Sequence, residues 1–173
     1  MVQGALALRA STPADCDFVL AAESHPDAAS CVEQWSAARH RRCIASHGAA
    51  HWIIERSGAP IGYAILEGAG DPDRSLLLRR IVIAGRGRGH GRGALQLLAR
   101  YCFEVLGFHR FWLYVAVDNR RAYGLYRRFG IVEEGIAREC ARHGDRYISM
   151  HVMSLLDREY AAYRAGRSRR PQP

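Results

Sequence analysis

The sequence contains no lysine. All 25 basic residues are arginine, against 17 acidic residues, so the formal net charge at pH 7 is +8. A chain without lysine has no side-chain amine, whereas arginine stays protonated at any working pH and presents a planar fork suited to phosphate. The excess charge favours anionic partners, namely nucleic acid, acidic proteins or a phosphorylated cofactor, without choosing among them.

Long apolar runs are also missing. No window approaches the ~18 uninterrupted apolar residues that a membrane span needs. The N-terminus has no basic stretch followed by a long apolar run, so no secretory signal is indicated. We therefore expect a cytoplasmic protein without a membrane partner.

Paired metal-binding or disulfide-forming cysteines are absent as well. The five cysteines are odd in number and include no CxxC pair, so neither a disulfide framework nor a thiolate metal site is indicated. His47 and His51 have a metal-compatible spacing, but Gly48 and the strand pattern that follows argue against one helical face. No metal is predicted.

Length and composition are those of one globular domain. The chain has 173 residues, about one domain's worth, and its 49% apolar and 24% charged residues are ordinary for a folded protein. We assign residues 1–160 to the domain. Residues 161–173 are basic and poor in apolar residues, so we expect a disordered tail there.

Hydrophobic periodicity predicts strands and helices in mixed order. Strands are expected over residues 5–9, 51–55, 61–67, 76–83 and 111–117, with a final hairpin of residues 131–141 and 146–156. Helices are expected after residues 11–15, over residues 31–44, after the glycine-rich segment at residues 85–93, and after residue 118 or 119.

The glycine-rich segment joins a predicted strand to a predicted helix, an arrangement typical of phosphate binding. Glycines let the backbone approach an anion, and a helix N-terminus adds unpaired N–H donors. A Walker turn is excluded because it needs lysine, and the dinucleotide fingerprint G-x-G-x-x-G is not completed because residue 92 is arginine. The pattern R-x-x-G-x-G is satisfied by Arg86, Gly89 and Gly91.

A second motif follows the next predicted strand. Asn119, Ala122, Tyr126 and Gly130 form N-x-x-A-x-x-x-Y-x-x-x-G. With these two motifs, residues 76–160 resemble the GCN5-related N-acetyltransferase (GNAT) superfamily, in particular its branch of ribosomal-protein, polyamine and small-molecule acetyltransferases. The resemblance implies a single-domain α/β fold of the α+β type, with a mixed, mostly antiparallel central sheet flanked by helices.

The resemblance also implies a reaction and a set of site residues. It implies transfer of the acetyl group of acetyl-CoA to a primary amine by direct attack in a ternary complex. It places Asn119 near the cofactor's sulfur and makes Tyr126, which also contacts the cofactor, the general acid. The other implied cofactor contacts are the backbone of Ile81, Val82 and Ile83 for the pantetheine arm and Arg86, Gly87, Arg88, Gly89, His90, Gly91 and Arg92 for the pyrophosphate.

The general base is the gap in this scheme. Many relatives carry an acidic residue on the strand before the glycine turn, where this chain has leucine at residues 76–78. Glu67 is our candidate, with a water wire to solvent as the alternative and Glu139 less favoured. Tyr126 also fits a second interpretation, as a plain core aromatic at helical spacing.

A nucleic-acid-binding module is the competing hypothesis, because arginines in the glycine-rich segment and in the tail could follow phosphates. However, Trp112 and Tyr114 lie in an apolar strand rather than among the arginines, so no stacking platform is indicated. For the enzyme hypothesis the expected acceptor is a small-molecule amine or a protein N-terminus. Dimers are common in this branch, so the resemblance brings a homodimer as an expectation.

Overall fold

The computed structural model describes residues 5–29, 32–84 and 89–168. Its strands are β1 (Leu6–Ala10), β2 (Ala49–Arg56), β3 (Ala59–Glu67), β4 (Ser75–Ile83), β5 (Arg110–Ala116), β6 (Val132–His143) and β7 (Arg146–Leu156). Its helices are α1 (Cys16–Ser24), α2 (Pro26–Ala29), α3 (Ala37–Ile44), α4 (His90–Arg100), α5 (Arg120–Phe129) and α6 (Asp157–Ser168).

The strands form a single mixed sheet in the order β1-β2-β3-β4-β5-β7-β6. Every neighbouring pair is antiparallel except β4 and β5, which are parallel. The mixed, mostly antiparallel α+β fold expected from the sequence is therefore confirmed. None of the helices in the described ranges is long and apolar enough to cross a membrane.

Two buried clusters cover the two faces of the sheet. The first contains Leu95 and Leu98 of α4 and Phe129 of α5. The second contains Val19 of α1 and Trp35, together with residues of β2, β3 and β4. Apolar residues three and four apart give α4 and α5 one buried stripe each, which is why these two helices pack against the sheet.

A bulge in β4 changes which face its side chains meet. Ile65 of β3 pairs with Arg80, but the next residue of β3 pairs with Leu78, so Arg79 is an extra residue in the ladder. A bulge shifts the alternation of side chains by one position. Leu78 consequently lies in the first cluster, whereas Val82, beyond the bulge, lies in the second.

The predicted helix over residues 31–44 is wrong at its start. Helix α3 begins at Ala37, because the Ser36 side chain accepts a hydrogen bond from the Arg39 N–H at 3.3 Å and caps the helix. Trp35 lies just ahead of that cap in an extended segment and is buried. Residue 31 itself is outside the described ranges.

The C-terminal segment also differs from its prediction. Residues 161–173 were expected to be disordered, yet α6 continues to Ser168. The ring of Tyr163 lies 5.1 Å from that of Phe129, so an aromatic contact anchors a stretch whose composition is otherwise polar. Residues 169–173 are outside the described ranges.

Candidate active site

The two parallel strands separate partway along their length. β4 and β5 pair only from Ser75 with Arg110 to Leu78 with Leu113. Among the described strands, residues 80–83 then pair only with β3, and residues 114–116 only with β7. We call the space between these two segments the β4–β5 opening. It leaves main-chain donors and acceptors of both strands without a strand partner, which an extended ligand can satisfy.

The predicted pantetheine-binding residues line one side of this opening. Ile81, Val82 and Ile83 all lie beyond the last β4–β5 pair. Ile81 and Ile83 pack against the first cluster, and Val82 is buried in the second. Their side chains thus fix the strand from both faces while its β5-facing main chain stays without a strand partner.

The N-terminus of α4 follows directly along the chain from this segment. Gly89 adopts a φ of +72° and its carbonyl accepts hydrogen bonds from the N–H groups of Arg92 and Gly93. A Cβ on Gly91 would meet Leu125 of α5 at 3.1 Å, so α4 begins against α5. These positions stay predictions for pyrophosphate binding, and Arg86, Gly87 and Arg88 lie outside the described residues.

His90 and Arg92 occupy the first turn of α4. The Arg92 guanidinium donates to the Tyr163 hydroxyl at 3.4 Å, so it reaches towards α6. The positive end of the helix dipole and the Arg92 charge both favour an anion at this end of α4. Anion binding there remains a prediction.

Tyr126 is buried with its hydroxyl uncommitted. Its side chain is 7% exposed and belongs to the same cluster as Leu113 and Val115 of β5. Within the described residues its phenol oxygen has no hydrogen-bond partner, although buried tyrosines usually have one. Burial raises the pKa of Tyr126 to about 12, which keeps the phenol protonated at neutral pH. The group is thus available as a hydrogen-bond or proton donor.

Asn119 caps α5, the helix that carries Tyr126. Its side-chain oxygen accepts from the Ala122 N–H at 3.1 Å, which decides between residues 118 and 119 as the start of this helix. Helix α5 ends at Gly130, whose φ of +108° is unfavourable for any residue with a side chain. The predicted contact of Asn119 with a cofactor is not tested by this capping role, because cap and ligand contact can coexist.

Glu67, the candidate base, ends β3 beside the β4 bulge. Its carboxylate lies 3.9 Å from the guanidinium of Arg79, the extra residue of that bulge, and its side chain is 40% exposed. An ion pair of this exposure is weak. Glu67 therefore lies close to the point where β4 leaves β5, and its role as base stays a prediction.

A buried polar cluster on the other face of the sheet was missed by the sequence reasoning. It consists of Glu23, His40, His51, Tyr63 and Arg80, all at most 9% exposed. One signal was present: Glu23 follows Val19 by four residues, which places a carboxylate on the apolar face of its helix. Its partners come from distant strands and could not be read from spacing.

An open cleft of about 630 Å³ lies at the β6–β7 hairpin, with Arg138, Glu139 and Ser149 in its lining. The Glu139 N–H donates to the Ser149 hydroxyl at 3.0 Å, across an irregularity in the ladder. The Ser149 carbonyl accepts from Val117, directly after β5. The cleft therefore adjoins the end of β5 that faces the β4–β5 opening.

Comparison with known proteins identifies the family. The model of the Acetyltransferase (GNAT) family matches residues 16–131. This chain belongs to the GNAT acetyltransferase family, as its two motifs predicted.

One curated relative is a spermidine N(1)-acetyltransferase of Vibrio cholerae serotype O1, 35% identical over 83 residues. That stretch is 47% of this chain and 48% of the relative, so the chain spans about half the length of the curated protein it matches.

Solved structures of related proteins cover more of the chain. A spermidine N-acetyltransferase from Vibrio cholerae in complex with CoA and spermine has a TM-score of 0.79 at 26% identity, covering 90% of this chain and 98% of that one. A dodecameric spermidine N-acetyltransferase from Vibrio cholerae in an intermediate state has a TM-score of 0.75 at 26% identity, covering 90% and 95%. The similarity thus extends well beyond the motif region.

Gly62 of β3 lies against the backbone of β4 at Val82, so a substitution there tests how closely the two strands pack. A Cβ at Gly62 would lie 2.3 Å from the Val82 carbonyl oxygen, which is backbone and cannot turn aside. We expect Gly62→Ala to push β4 outward and to destabilise the fold by about 1–3 kcal/mol, as measured by urea unfolding. Gly70→Ala, where a Cβ meets nothing within 4 Å, is the matched control. Equal stability of the two variants would contradict this packing.

Proposed function

We propose that this protein is an N-acetyltransferase that moves the acetyl group of acetyl-CoA to a primary amine by direct attack in a ternary complex. The observation that carries the proposal is the β4–β5 opening together with the uncommitted phenol of Tyr126. Family membership supports the acetyl-transfer chemistry, and the related structure with CoA supports the co-substrate. The nucleic-acid hypothesis is not carried forward, because neither motif requires it.

The proposed cofactor-binding residues of β4 and α4 would hold acetyl-CoA in an extended form. Main-chain groups of residues 81–83 would pair with the pantetheine arm as a further strand would. The start of α4 and Arg92, together with the arginines at 86 and 88, would neutralise the pyrophosphate. This arrangement would hold the thioester between β4 and β5.

The chemistry then needs one base and one acid. A free alkylamine has a pKa of about 10.4, so it must lose a proton before it can attack. Its nitrogen bonds to the thioester carbon, the carbon–sulfur bond breaks, and the departing CoA thiolate takes the proton of the Tyr126 phenol. Glu67 takes the ammonium proton, directly or through water, before the attack. The second proton, which the nitrogen loses on becoming an amide, returns to the Tyr126 phenolate. Holding both substrates together supplies much of the remaining acceleration.

The acceptor is proposed to be a small-molecule amine or a protein N-terminus with a single positive charge. The named relatives act on or bind polyamines, which call for several unpaired carboxylates. Most carboxylates in the described N-terminal half are instead paired with arginine: Asp15 and Glu55 with Arg9, Glu33 with Arg39, Glu67 with Arg79, and Glu23 with Arg80. The cleft at β6–β7 has one carboxylate beside one guanidinium in its lining, so it offers no cluster of negative charge for a polyamine.

Calorimetric titration with acetyl-CoA tests the first part of this proposal, and saturable binding is the expected result. No binding at millimolar acetyl-CoA would refute it. A panel of acceptors read out by release of CoA thiol then tests the second part. We expect a peptide N-terminus or a monoamine to exceed spermidine in kcat/KM by at least about tenfold, or about 1.4 kcal/mol. A clear preference for spermidine would refute the single-charge acceptor.

Assembly into a homodimer or larger oligomer is proposed by analogy with the dodecameric relative. Sedimentation velocity measures it directly. A monomer at all accessible concentrations would contradict it.

A further inference from the structure

We propose that the ion pair between Glu23 and Arg80 positions the cofactor-binding segment of β4, holding residues 80–83 away from β5 so that the opening stays accessible. The inference rests on the proposed function, because it is acetyl-CoA that this segment would bind. Glu23 and Arg80 are thus positioning residues and not groups that touch the substrates.

Residues 80–83 need a side-chain contact to hold them in place because their β5-facing edge has no strand partner in the described part of the chain. Beyond Leu78 the strand has no pairing with β5, so among the described strands its backbone is held by β3 alone. Strand edges without a partner tend to acquire one, and the nearest strand is β5 itself. Side-chain contacts to the helices are the remaining means of keeping β4 in place.

Arg80 makes that contact at the first position after the bulge. The bulge at Arg79 turns Arg80 towards the α1–α3 side of the sheet, where its side chain is only 9% exposed. Its guanidinium donates to the Glu23 carboxylate of α1 and lies 4.3 Å from the centroid of the Trp35 ring. A charge and an aromatic ring therefore fix the residue next to the proposed pantetheine contacts.

Glu23 is held from several elements at once. It is 1% exposed, and its carboxylate accepts from the Tyr63 hydroxyl of β3 and from the Trp35 backbone N–H at 3.0 Å. His40 Nε2 of α3 lies 3.2 Å from the same carboxylate. Burial alone raises the pKa of Glu23, but these donors together lower it to about 2. The carboxylate is thus ionised at neutral pH and ties α1 to β3, β4 and α3.

His40 and His51, which lie next to the ion pair, form a chain of contacts that ends at the Ser11 hydroxyl. If the His40 hydrogen is on Nε2, its Nδ1 accepts from His51 Nε2 at 3.3 Å, and His51 Nδ1 accepts from the Ser11 hydroxyl at 2.7 Å. The histidine–histidine and histidine–serine contacts are thus mutually consistent, while His40 Nε2 faces the Glu23 carboxylate at 3.2 Å without meeting hydrogen-bond geometry. The surroundings of the ion pair are therefore preorganised, which suits a positioning role.

A purely structural ion pair would behave differently from a positioning one. Loss of a structural pair lowers the folded fraction, while the molecules that remain folded bind acetyl-CoA normally. Loss of a positioning pair changes cofactor binding in the folded molecules themselves. The distinction requires affinity measured on protein shown to be folded.

The test uses Glu23→Gln and Arg80→Lys in the full chain, with folding verified by circular dichroism. We expect the Kd for acetyl-CoA to rise at least tenfold, while kcat at saturating acetyl-CoA stays within about threefold. We also expect faster amide hydrogen exchange at residues 81–83 without any cofactor. Arg9→Met, which removes the partly exposed ion pairs of β1 with Asp15 and Glu55, should change neither quantity.

Each outcome decides between the alternatives. Unchanged affinity and unchanged exchange in the folded variants would overturn the positioning role. If wild-type protein binds no acetyl-CoA, the proposed function fails, and the exchange measurement alone decides whether the pair holds β4. Should Arg80→Lys not fold, Glu23→Gln, which keeps a hydrogen-bonding side chain of the same size, provides both readouts.

Discussion

Tyr126→Phe is expected to lower kcat by roughly 100-fold or more, in the range typical of lost general acid catalysis. The affinity for acetyl-CoA should hardly change, because the phenyl ring keeps its place among Leu113 and Val115 in the first cluster. The expected loss follows from the hydroxyl alone, which the fold leaves without a hydrogen-bond partner among the described residues. Without it the thiolate must leave with its negative charge unneutralised.

The matched control is Tyr123→Phe on the same helix. The Tyr123 hydroxyl already donates to Glu133 at 2.7 Å, so it is committed to a structural contact. Steady-state kinetics on both variants, with calorimetric Kd values for acetyl-CoA, gives the comparison. Turnover by Tyr126→Phe equal to that of Tyr123→Phe would remove Tyr126 from the mechanism and leave it as a core aromatic.

Stability should fall by up to about 3 kcal/mol as the pH drops from 6.5 to 4. Burial, with a smaller contribution from neighbouring His40, lowers the pKa of His51 from 6.5 to about 4. Between pH 6.5 and 4, His51 is protonated in the unfolded chain but not in the folded chain. Protonation therefore favours unfolding. A free energy of 1.36 kcal/mol for each pH unit between 6.5 and 4 gives an upper bound of roughly 3 kcal/mol.

The groups around His51 explain why it resists protonation. Its ring stacks on Tyr63 at 5.4 Å between centroids, and His40 lies edge-on. Arg80 opposes the added charge, while Asp15 and Glu23 favour it less strongly than burial disfavours it. The net effect is a neutral imidazole in the fold.

Urea unfolding at several pH values measures this slope. The His51→Gln variant should lose most of the pH dependence of stability between pH 6.5 and 4. The variant His109→Gln, at an exposed histidine, should retain that pH dependence. A second loss of stability is expected as the pH falls from about 4.5 to 2. The pKa of Glu23 is about 2 in the folded protein, so in this range the unfolded chain binds a proton at Glu23 that the folded chain does not. A flat profile between pH 6.5 and 4 in wild type would contradict a buried neutral His51.

The sequence was sufficient for features built from local spacing. A helix start at residue 118 or 119 and the place of Tyr126 on the apolar face both follow from residues within one helix. The structure confirms both and puts the cap at Asn119. The strand-to-helix order around the glycine-rich segment also emerged from periodicity. These features depend on neighbours a few residues away, which is the range over which a pattern is informative.

Features that depend on distant partners could not be predicted. Glu23 and Arg80 meet across 57 residues of sequence, and nothing local marks them as a pair. The helix expected over residues 31–44 starts late because Trp35 is drawn to the Glu23 carboxylate through its backbone N–H. The bulge at Arg79 depends on the register with β3, which single-strand periodicity does not contain.

A crystal structure of the protein with CoA is the most direct test. The expected result has the pantetheine arm in the β4–β5 opening, paired to the main chain of residues 81–83, with the sulfur within hydrogen-bond reach of the Tyr126 phenol. Density for CoA elsewhere, or an opening filled by the protein itself, would contradict the proposed site.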